Sequence, residues 1–524
     1  MQKIDTILIQ IDEVWHQMTP RLTDDWCFQD VEVNTGSNNI TLAAPKSKVS
    51  RLHIVWRHTF PQHSLYMGDC FERGYGNLGF SALNADALYD WYFCVVQPQG
   101  SISCWGVAIR PNAWCSWTIA PKSVDLWLDV RNGNHPLELG SRKLRVCELV
   151  INEYSTSSFD AVRSHCLAMA KKNAAETFCP MVGLNDWYFA YGNNTELQIL
   201  NSAEFISSIW PWKNNEHARP YIVIDDGWEI DYSPTYNGGP WNGSNSKFGD
   251  MAVLAQQLKR RGIHPGIWFR PLLTSEDVDP QWVLHHNEDG TNVLDISHPE
   301  VIQRVQHDVQ RFVEWGFEVI KHDFTTFDVL NCWGNDIDLS YQHGEVNFWN
   351  TEKTSAEIFN DFYRAIREAA GDATLIGCDT ISHLSAGIFD VMRIGDDTSG
   401  IDFNRTRRTG VNSLAFRIPQ HNIFYQCDAD CIGITADIPW QENKEWLRLL
   451  AYSGTPLFIS CDPEQIDSVQ RNDISNAISI ALTRSGTIQP IDWEHSRYPQ
   501  TWKAQEGVIT CEWYPYPRNF PLSS

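Results

Sequence analysis

Between Met181 and Asp462 the chain repeats one pattern: a short apolar run ending in polar residues, then an amphipathic segment. YIVIDDGW at 221–228 precedes AVLAQQLKRRG, in which Leu254 and Leu258 lie about one helical turn apart. HPGIWFRP leads to VIQRVQHDVQRFVEWG, where Val301, Val305, Val309 and Phe312 form one face and Gly316 supplies a C-terminal stop. FEVIKHDF precedes AEIFNDFYRAIREAAG, with Ile358, Phe362 and Ile366 on one stripe. ATLIGCD, VMRIGDD, IFYQCDADCIGI and TPLFISCD follow, and LNDWYFAYG at 184–192 opens the series. Eight strands alternating with helices over about 280 residues predict a (β/α)8 TIM barrel.

The flanks read differently. A chain of 524 residues is long enough for two or three domains. Residues 1 to about 155 are β-rich: Val124 to Val130 and Leu144 to Leu149 alternate with period two, and turn clusters such as GNLG, QPQG and RNGNHP separate such runs. An N-terminal β-sandwich is expected there, with a linker helix over 157–173. The expected division is 1–175 for the β-sandwich and linker, 176–465 for the catalytic barrel, and 466–524 for a C-terminal helix and a short β-rich segment, the last from about residue 488.

Composition narrows the partners. No apolar run of about 18 residues is present, so no membrane span is expected. The N-terminal segment carries Asp5, Asp12 and Glu13 and lacks the long apolar stretch of a secretory signal. The 14 cysteines contain no CxxC pair, and Cys427 and Cys431 have no further Cys/His pair to complete a zinc pattern. Reduced thiols in a cytoplasmic enzyme are expected. The net charge of −24 argues against nucleic acid and anionic lipid and suits a neutral substrate. The 23 tryptophans suit sugar rings, and equally suit a core.

Barrel enzymes carry their reacting groups at the C-terminal ends of the strands. Those positions here hold Asp225 and Asp226, Lys321 and Asp323, Cys378 and Asp379, Arg393 with Asp396 and Asp397, and Asp428 with Asp430. One acid at a strand end is an ordinary helix cap. Acids at five strand ends repel one another unless a ligand or cations offset them. Glycoside hydrolysis by two carboxylates and divalent-metal chemistry both use such a ring. Lys321 shares a strand face with Asp323, and Arg393 stands three residues before Asp396, so fixed cations already occupy the place of a metal. Trp187, Trp228, Trp268 and Trp333 punctuate the same ends, which suits a sugar subsite. No metal and no organic cofactor are expected.

IDDGW at 224–228, GIW at 266–268, IKHDF at 320–324, RIGDDT at 393–398 and DADC at 428–431 together resemble the α-galactosidase clan, glycoside hydrolase families 36 and 27. IDDGW followed about 95 residues later by an IKxD strand is the most specific part of the resemblance. It covers about 180–460 and implies a retaining enzyme acting on terminal α-D-galactosides, on an oligosaccharide or glycoconjugate. Asp323 matches the nucleophile. Lys321 matches the residue that bonds the sugar and keeps the nucleophile ionised. Asp225 and Asp226 match the pair that accepts from the 4- and 6-hydroxyls, the first of which is axial in galactose. Asp396 matches the general acid/base, with Asp397 its alternative by one residue of register; adjacent side chains on an extended strand face opposite ways. Arg393 matches a contact to the 2-hydroxyl region, Asp430 and Cys431 resemble the acid and its neighbour near the seventh strand, and Trp187 resembles the aromatic floor.

The chain also departs from the pattern. The common IKWD reads IKHD, and His322, on the opposite side of the strand from Asp323, is expected to be packed. The usual Cys-Ser-Gly-Gly-Gly segment after strand five reads Gly377-Cys378-Asp379-Thr380, with Asp379 where relatives recognise the 2-substituent. In the implied mechanism Asp396 protonates the glycosidic oxygen while Asp323 attacks, the two carboxyls being about 5–5.5 Å apart. Other readings stay open: a galactosyltransferase of raffinose-synthase type, a related α-glycosidase such as an α-N-acetylgalactosaminidase, a non-catalytic sugar binder, and a metal-dependent hydrolase. A β-sandwich beside a barrel also offers an interface for a homo-oligomer.

Overall fold

A computed structural model describes residues 3–21, 24–176, 180–211, 218–337, 345–483 and 486–513. Cys179 and the last part of the C-terminal segment, 514–524, lie outside the described residues.

The parallel sheet forms where the short apolar runs were read. Its strands are β1 (Val182–Asn185), β2 (Tyr221–Ile224), β3 (His264–Phe269), β4 (Val319–His322), β5 (Thr374–Gly377), β6 (Val391–Arg393), β7 (Gln426–Asp428), β8 (Ile432–Ile434) and β9 (Leu457–Cys461). Hydrogen bonding runs β7-β6-β5-β4-β3-β2-β1-β9-β8, and every pairing is parallel. β7 and β8 are two halves of one strand position, so the sheet wraps almost fully into an eight-position TIM barrel. Ala429, Asp430 and Cys431 bridge the halves, with Asp430 left-handed at φ 77°. The first strand ends sooner than the LNDWYFAYG run: Trp187–Ala190 is a short helix that follows Asp186.

Capping and amphipathic spacing fix the outer helices. Asp250 accepts from the N–H groups of Ala252 and Val253 at the start of Met251–Arg260, whose Leu254, Ala255 and Leu258 are buried. Pro299 opens Pro299–Trp315, and Gly316 at φ 101° ends it. Thr354 and Glu357 form a capping box for Ser355–Ala370, which buries Ile358, Phe359, Phe362, Tyr363 and Ile366. Each such side chain contributes roughly 1.5–3 kcal/mol. The helix Ser468–Thr483, after β9, lies against Glu196–Ile209, with Ser475 Oγ donating to the Ile209 carbonyl at 3.2 Å. It lies in the layer of helices outside the parallel sheet.

The N-terminal region is antiparallel. Its thirteen described strands are hydrogen-bonded together, twelve along one path and the thirteenth, Leu65–Asp69, paired beside it with Tyr89–Val96. Period-two burial is clear in Thr6–Ile11 and Ser123–Asp129. Trp56, Trp105 and Trp117 are fully buried and pack with Phe93, so much of the chain's tryptophan is core. The helix Ser158–Ala170 leads on to the barrel. Beyond residue 488, Gln489–Pro490, Thr501–Ala504 and Gly507–Thr510 form a three-stranded sheet.

One N-terminal segment crosses to the barrel mouth. Gly74 pairs with Gly395 just past β6: the Gly74 N–H donates to the Ile394 carbonyl, and the Asp396 N–H donates to the Gly74 carbonyl, both at 2.9 Å. Buried Arg417 fixes the approach, pairing with Asp69 at 3.0 Å and donating to the Glu72 carbonyl at 2.7 Å.

Candidate active site

The C-terminal strand ends open onto a cavity of about 490 Å³. Trp187, Asp225, Asp226, Trp268, Lys321, Asp323, Asp396 and Asp397 all line it, joined by Arg73, Tyr75, Asn237, Phe324, Trp333, Asn335 and Arg405. A larger surface hollow of about 930 Å³, lined by His135, Arg142 and Glu352 among others, contains none of the strand-end acids.

Strand register sets the centre. Trp268 on β3 pairs with Lys321 on β4, and Phe269 pairs with His322, so Trp268 and Lys321 share one face and His322 the other. Asp323 follows directly. Its Oδ2 accepts from the Trp268 indole N–H at 2.9 Å and its Oδ1 from the Phe324 N–H at 2.8 Å. Phe324 is left-handed at φ 64°, turning the chain into the helix Thr325–Leu330. Lys321 donates to Asp225 Oδ2 at 2.6 Å rather than to Asp323. Burial works against the Lys321 charge, but Asp225, with Cys378 and Asp323, outweighs it and holds the ammonium protonated.

The Asp225–Asp226 pair is held from below. Asp225 Oδ2 also accepts from Asn185 at 2.6 Å, and the Asp225 N–H donates to Asp186 Oδ1 at 2.7 Å. Asp226 Oδ2 accepts from Asn237 at 3.0 Å; the Asn237 carbonyl oxygen accepts from Arg270 at 2.8 Å, and Arg270 pairs with buried Asp328. Arg270 therefore fixes which way the Asn237 amide points. Burial and the neighbouring Glu229 carboxyl push Asp226 up to about 9. The two carboxyls share a proton.

Asp396 and Asp397 both line the cavity. β6 ends at Arg393, so the alternation of an extended strand no longer separates them. Asp396 Oδ2 pairs with Arg405 at 3.1 Å and its Oδ1 lies 3.6 Å from Arg73. Burial, with the adjacent Asp397 charge, raises Asp396 above the ordinary carboxylate range against the pull of Arg73 and Arg405. Asp397 goes the other way: burial would raise it, but Arg393, with Arg73, Lys321 and Arg405, overrides burial and lowers it. Its side chain is 37% exposed, against 21% for Asp396.

Four residues expected to touch the ligand do not line the cavity: Arg393, Cys378, Asp379 and Asp430 are all buried behind its wall. Arg393 pairs with Asp430 at 2.8 Å and Asp397 at 3.1 Å, and donates to Cys378 Sγ at 3.5 Å. Asp430 Oδ2 also accepts from Thr398 N–H and Oγ1 at 2.8 and 2.9 Å and from the Tyr188 hydroxyl, while its Oδ1 accepts from the Cys431 N–H at 2.7 Å. Asp430 is spent on closing the barrel across its left-handed backbone. Asp379 accepts from the Phe327 N–H at 3.2 Å and faces Glu72.

Trp228 is fully buried, donating to the Trp268 carbonyl at 2.9 Å, and is wall support rather than a sugar platform. Trp333 stacks on Phe327 with ring centroids 4.5 Å apart. His322 is buried, stacks on Phe389 and contacts Thr325 Oγ1; burial holds it down to about 3. Among the described residues no group of three or more His, Cys, Asp or Glu is arranged to hold a metal ion and no helix is long and apolar enough to cross a membrane, and Cys378, Cys427 and Cys431 are free thiols.

The residues not foreseen are Arg73, Tyr75, Asn237, Phe324, Asn335 and Arg405. Glycines closely spaced around Tyr75, in ERGYGNLG, were the one available signal for the first two: a Cβ on Gly74 would lie 2.5 Å from Ser413 Oγ, and one on Gly76, at φ +83°, 2.1 Å from Arg408.

No protein-family model matches the chain, and no curated protein matches it by sequence. Solved structures do match in fold. An α-galactosidase from Thermus thermophilus, TtGalA, in complex with p-nitrophenyl α-D-galactopyranoside, aligns over 97% of this chain and 99% of its own, with a TM-score of 0.62 at 14% identity. The family-36 α-galactosidase AgaA from Geobacillus stearothermophilus aligns over 96% of this chain and 77% of its own, with a TM-score of 0.61 at 12% identity. The galactosidase domain of the α-galactosidase-sucrose kinase AgaSK covers 96% and 76%, with a TM-score of 0.59 at 15% identity. The polypeptide that closes a parallel barrel around Asp225, Asp323 and Asp397 thus has the fold of these α-galactosidases.

Proposed function

We propose that the protein is a retaining α-galactosidase that hydrolyses terminal α-D-galactosides through a covalent glycosyl-enzyme. The observation that carries this reading is the joint placement, in one cavity, of Asp323, the Lys321–Asp225 ion pair, Asp226 and a second pair of acids, with Trp187 and Trp268 beside them. The related fold supports it: TtGalA was solved with p-nitrophenyl α-D-galactopyranoside and with stachyose.

Asp323 attacks the anomeric carbon. Two hydrogen-bond donors orient its carboxylate and stabilise its charge. Asp225 and Asp226 accept from sugar hydroxyls, Asp225 held by its ion pair with Lys321 and Asp226 standing beside Glu229. Between the two adjacent acids, Asp396 is assigned the general acid/base: burial and the neighbouring Asp397 charge shift it upward, which favours the protonated form, whereas Arg393, Arg73, Lys321 and Arg405 hold Asp397 down. Asp396 delivers its proton to the glycosidic oxygen as the bond to the leaving group breaks, then takes one from the water that releases the sugar. A second reading gives this role to Asp397, whose side chain is the more exposed of the two.

Hydrolysis of p-nitrophenyl α-D-galactoside by the wild type and by Asp323→Ala, with the α-glucoside and N-acetyl-α-galactosaminide alongside, tests the assignment. Galactoside cleavage that falls by several orders of magnitude in the variant is expected. A folded wild type that cleaves none of the three overturns it. Asp396→Asn and Asp397→Asn separate the two acids. The true acid/base variant keeps most of its kcat/KM on leaving groups that need no protonation but turns over slowly for want of a base in the second step, and azide, which needs none, restores that turnover.

A further inference from the structure

The run Glu72-Arg73-Gly74-Tyr75 belongs to the N-terminal region, yet it ends in the barrel mouth. Glu72 is fully buried. Its Oε2 accepts from the Tyr75 hydroxyl and from the Gly334 N–H, both at 2.7 Å. Its Oε1 lies 2.9 Å from Arg73 Nε. Arg73 continues to Asp396, and its guanidinium lies 5.4 Å from the Trp333 ring centroid. Behind Glu72 stands Asp379, raised well above the carboxylate range by burial and by Glu72 itself.

The fit is close on the Gly334 side as well. A Cβ on Gly334 would lie 2.2 Å from Glu72 Oε2, so the loop that carries Trp333 and Asn335 can seat only because residue 334 lacks a side chain. One carboxylate thereby organises Arg73, Tyr75, Trp333 and Asn335, all of which line the cavity. The Asp225–Asp226 group is built by a separate network through Asn185, Lys321 and Asn237. The cavity wall thus has two halves, one gathered on Glu72 and the other on the network around Asp225 and Asp226.

We propose that Glu72 is a positioning residue that builds the leaving-group half of the site, seating Arg73 on Asp396 and setting Tyr75 and Trp333 as the wall against which a neutral sugar leaving group packs. This rests on the α-galactosidase reading. Trp333 and Tyr75 are half-buried and present ring surface, while the Arg73 charge is already met by Glu72 and Asp396. A ring of uncharged C–H faces and hydroxyls fits such a wall, and an anionic leaving group does not.

The test compares three substrates in Glu72→Gln: α-galactosyl fluoride, whose leaving group needs neither wall nor proton, p-nitrophenyl α-galactoside, and an α-1,6-linked galactosyl disaccharide. The disaccharide is expected to lose about 100-fold in kcat/KM and the fluoride about threefold or less, because misplacing the wall affects only substrates that use it. Tyr75→Phe removes one hydroxyl from the same carboxylate and Trp333→Ala removes the ring; both should raise KM for the disaccharide and leave the fluoride unchanged. They carry the same split if Glu72→Gln does not fold. Equal losses on all three substrates overturn the proposal, since a merely structural role moves them together. A wild type active on the fluoride and disaccharide with no such split sinks this inference alone. A wild type inactive on every galactoside sinks the α-galactosidase reading and this inference with it.

Discussion

The indole N–H of Trp268 points at Asp323 Oδ2 from 2.9 Å, and the ring itself is almost wholly buried, with Trp241 and Phe324 edge-on around it. The proposed nucleophile is therefore aimed by a side chain that cannot swing away. Trp268→Phe keeps most of the packing and deletes the donor. A hydrogen bond to a charged group is worth about 1.5–3 kcal/mol, so kcat on p-nitrophenyl α-galactoside should fall about 10- to 100-fold with the fold intact. Steady-state kinetics and circular dichroism check both parts.

Asp226 and Glu229 give the site an alkaline limit. Burial and Glu229 raise Asp226 to about 9, so below that pH the pair holds a proton and above it two carboxylates face each other. Activity should decline as pH rises through about 9. In Glu229→Gln the neighbouring charge is gone, Asp226 ionises at lower pH, and the limb near 9 should vanish. A pH profile of kcat/KM for both proteins decides it; an unchanged limb in the variant would place its origin elsewhere.

Acid should loosen the protein through its buried histidines. His165, His322 and His421 are held down to about 3 and His383 to about 4, each chiefly by burial. An unfolded histidine titrates near about 6.5. These groups are depressed in the folded state, so their contribution is present above about 6.5 and is lost as pH falls toward the folded values. Asp186 and Asp428, raised to about 7 and about 6, act in the opposite sense and gain as pH falls through those values. Thermal unfolding between pH 7 and pH 4 should show a net loss, and His322→Asn should make that loss shallower.

Asp430→Asn should act on stability before it acts on chemistry. The carboxylate meets Arg393, Thr398, Tyr188 and the Cys431 N–H, and the variant leaves the buried guanidinium with a neutral partner. Breaking a buried pair costs about 3–5 kcal/mol. Denaturant unfolding checks the size, and a variant as stable as the wild type would show that Asp397 alone suffices for Arg393.

The barrel was readable because each strand is a short apolar run with its own punctuation, and those runs lie where the strands form. The parity of β4 was readable too, since Lys321 and His322 are neighbours within one extended strand. Parity failed two strand-ends later: beyond Arg393 the backbone is no longer extended, and Asp396 and Asp397 both reach the cavity. Asp379 and Asp430 look like Asp225 in sequence, an acid after an apolar run. What separates them is the partner standing behind, Glu72 in one case and Arg393 in the other, and neither pairing has a local signature. Arg73 and Tyr75 reach the site only because Arg417 seats Asp69 and the Glu72 carbonyl on the barrel, a contact between distant parts of the chain.

The divided seventh strand has a mechanical meaning. Among the described residues, Gln426–Asp428 is laddered only to β6 and Ile432–Ile434 only to β9, so no backbone ladder runs unbroken around the ring. Continuity across the gap is carried by the three-residue link Ala429 to Cys431 and by the side chains gathered on Asp430. The cylinder is in effect a curved ribbon with a clasp, and local opening there would part the two halves independently, each exchanging its amide protons at the pace of its own neighbour.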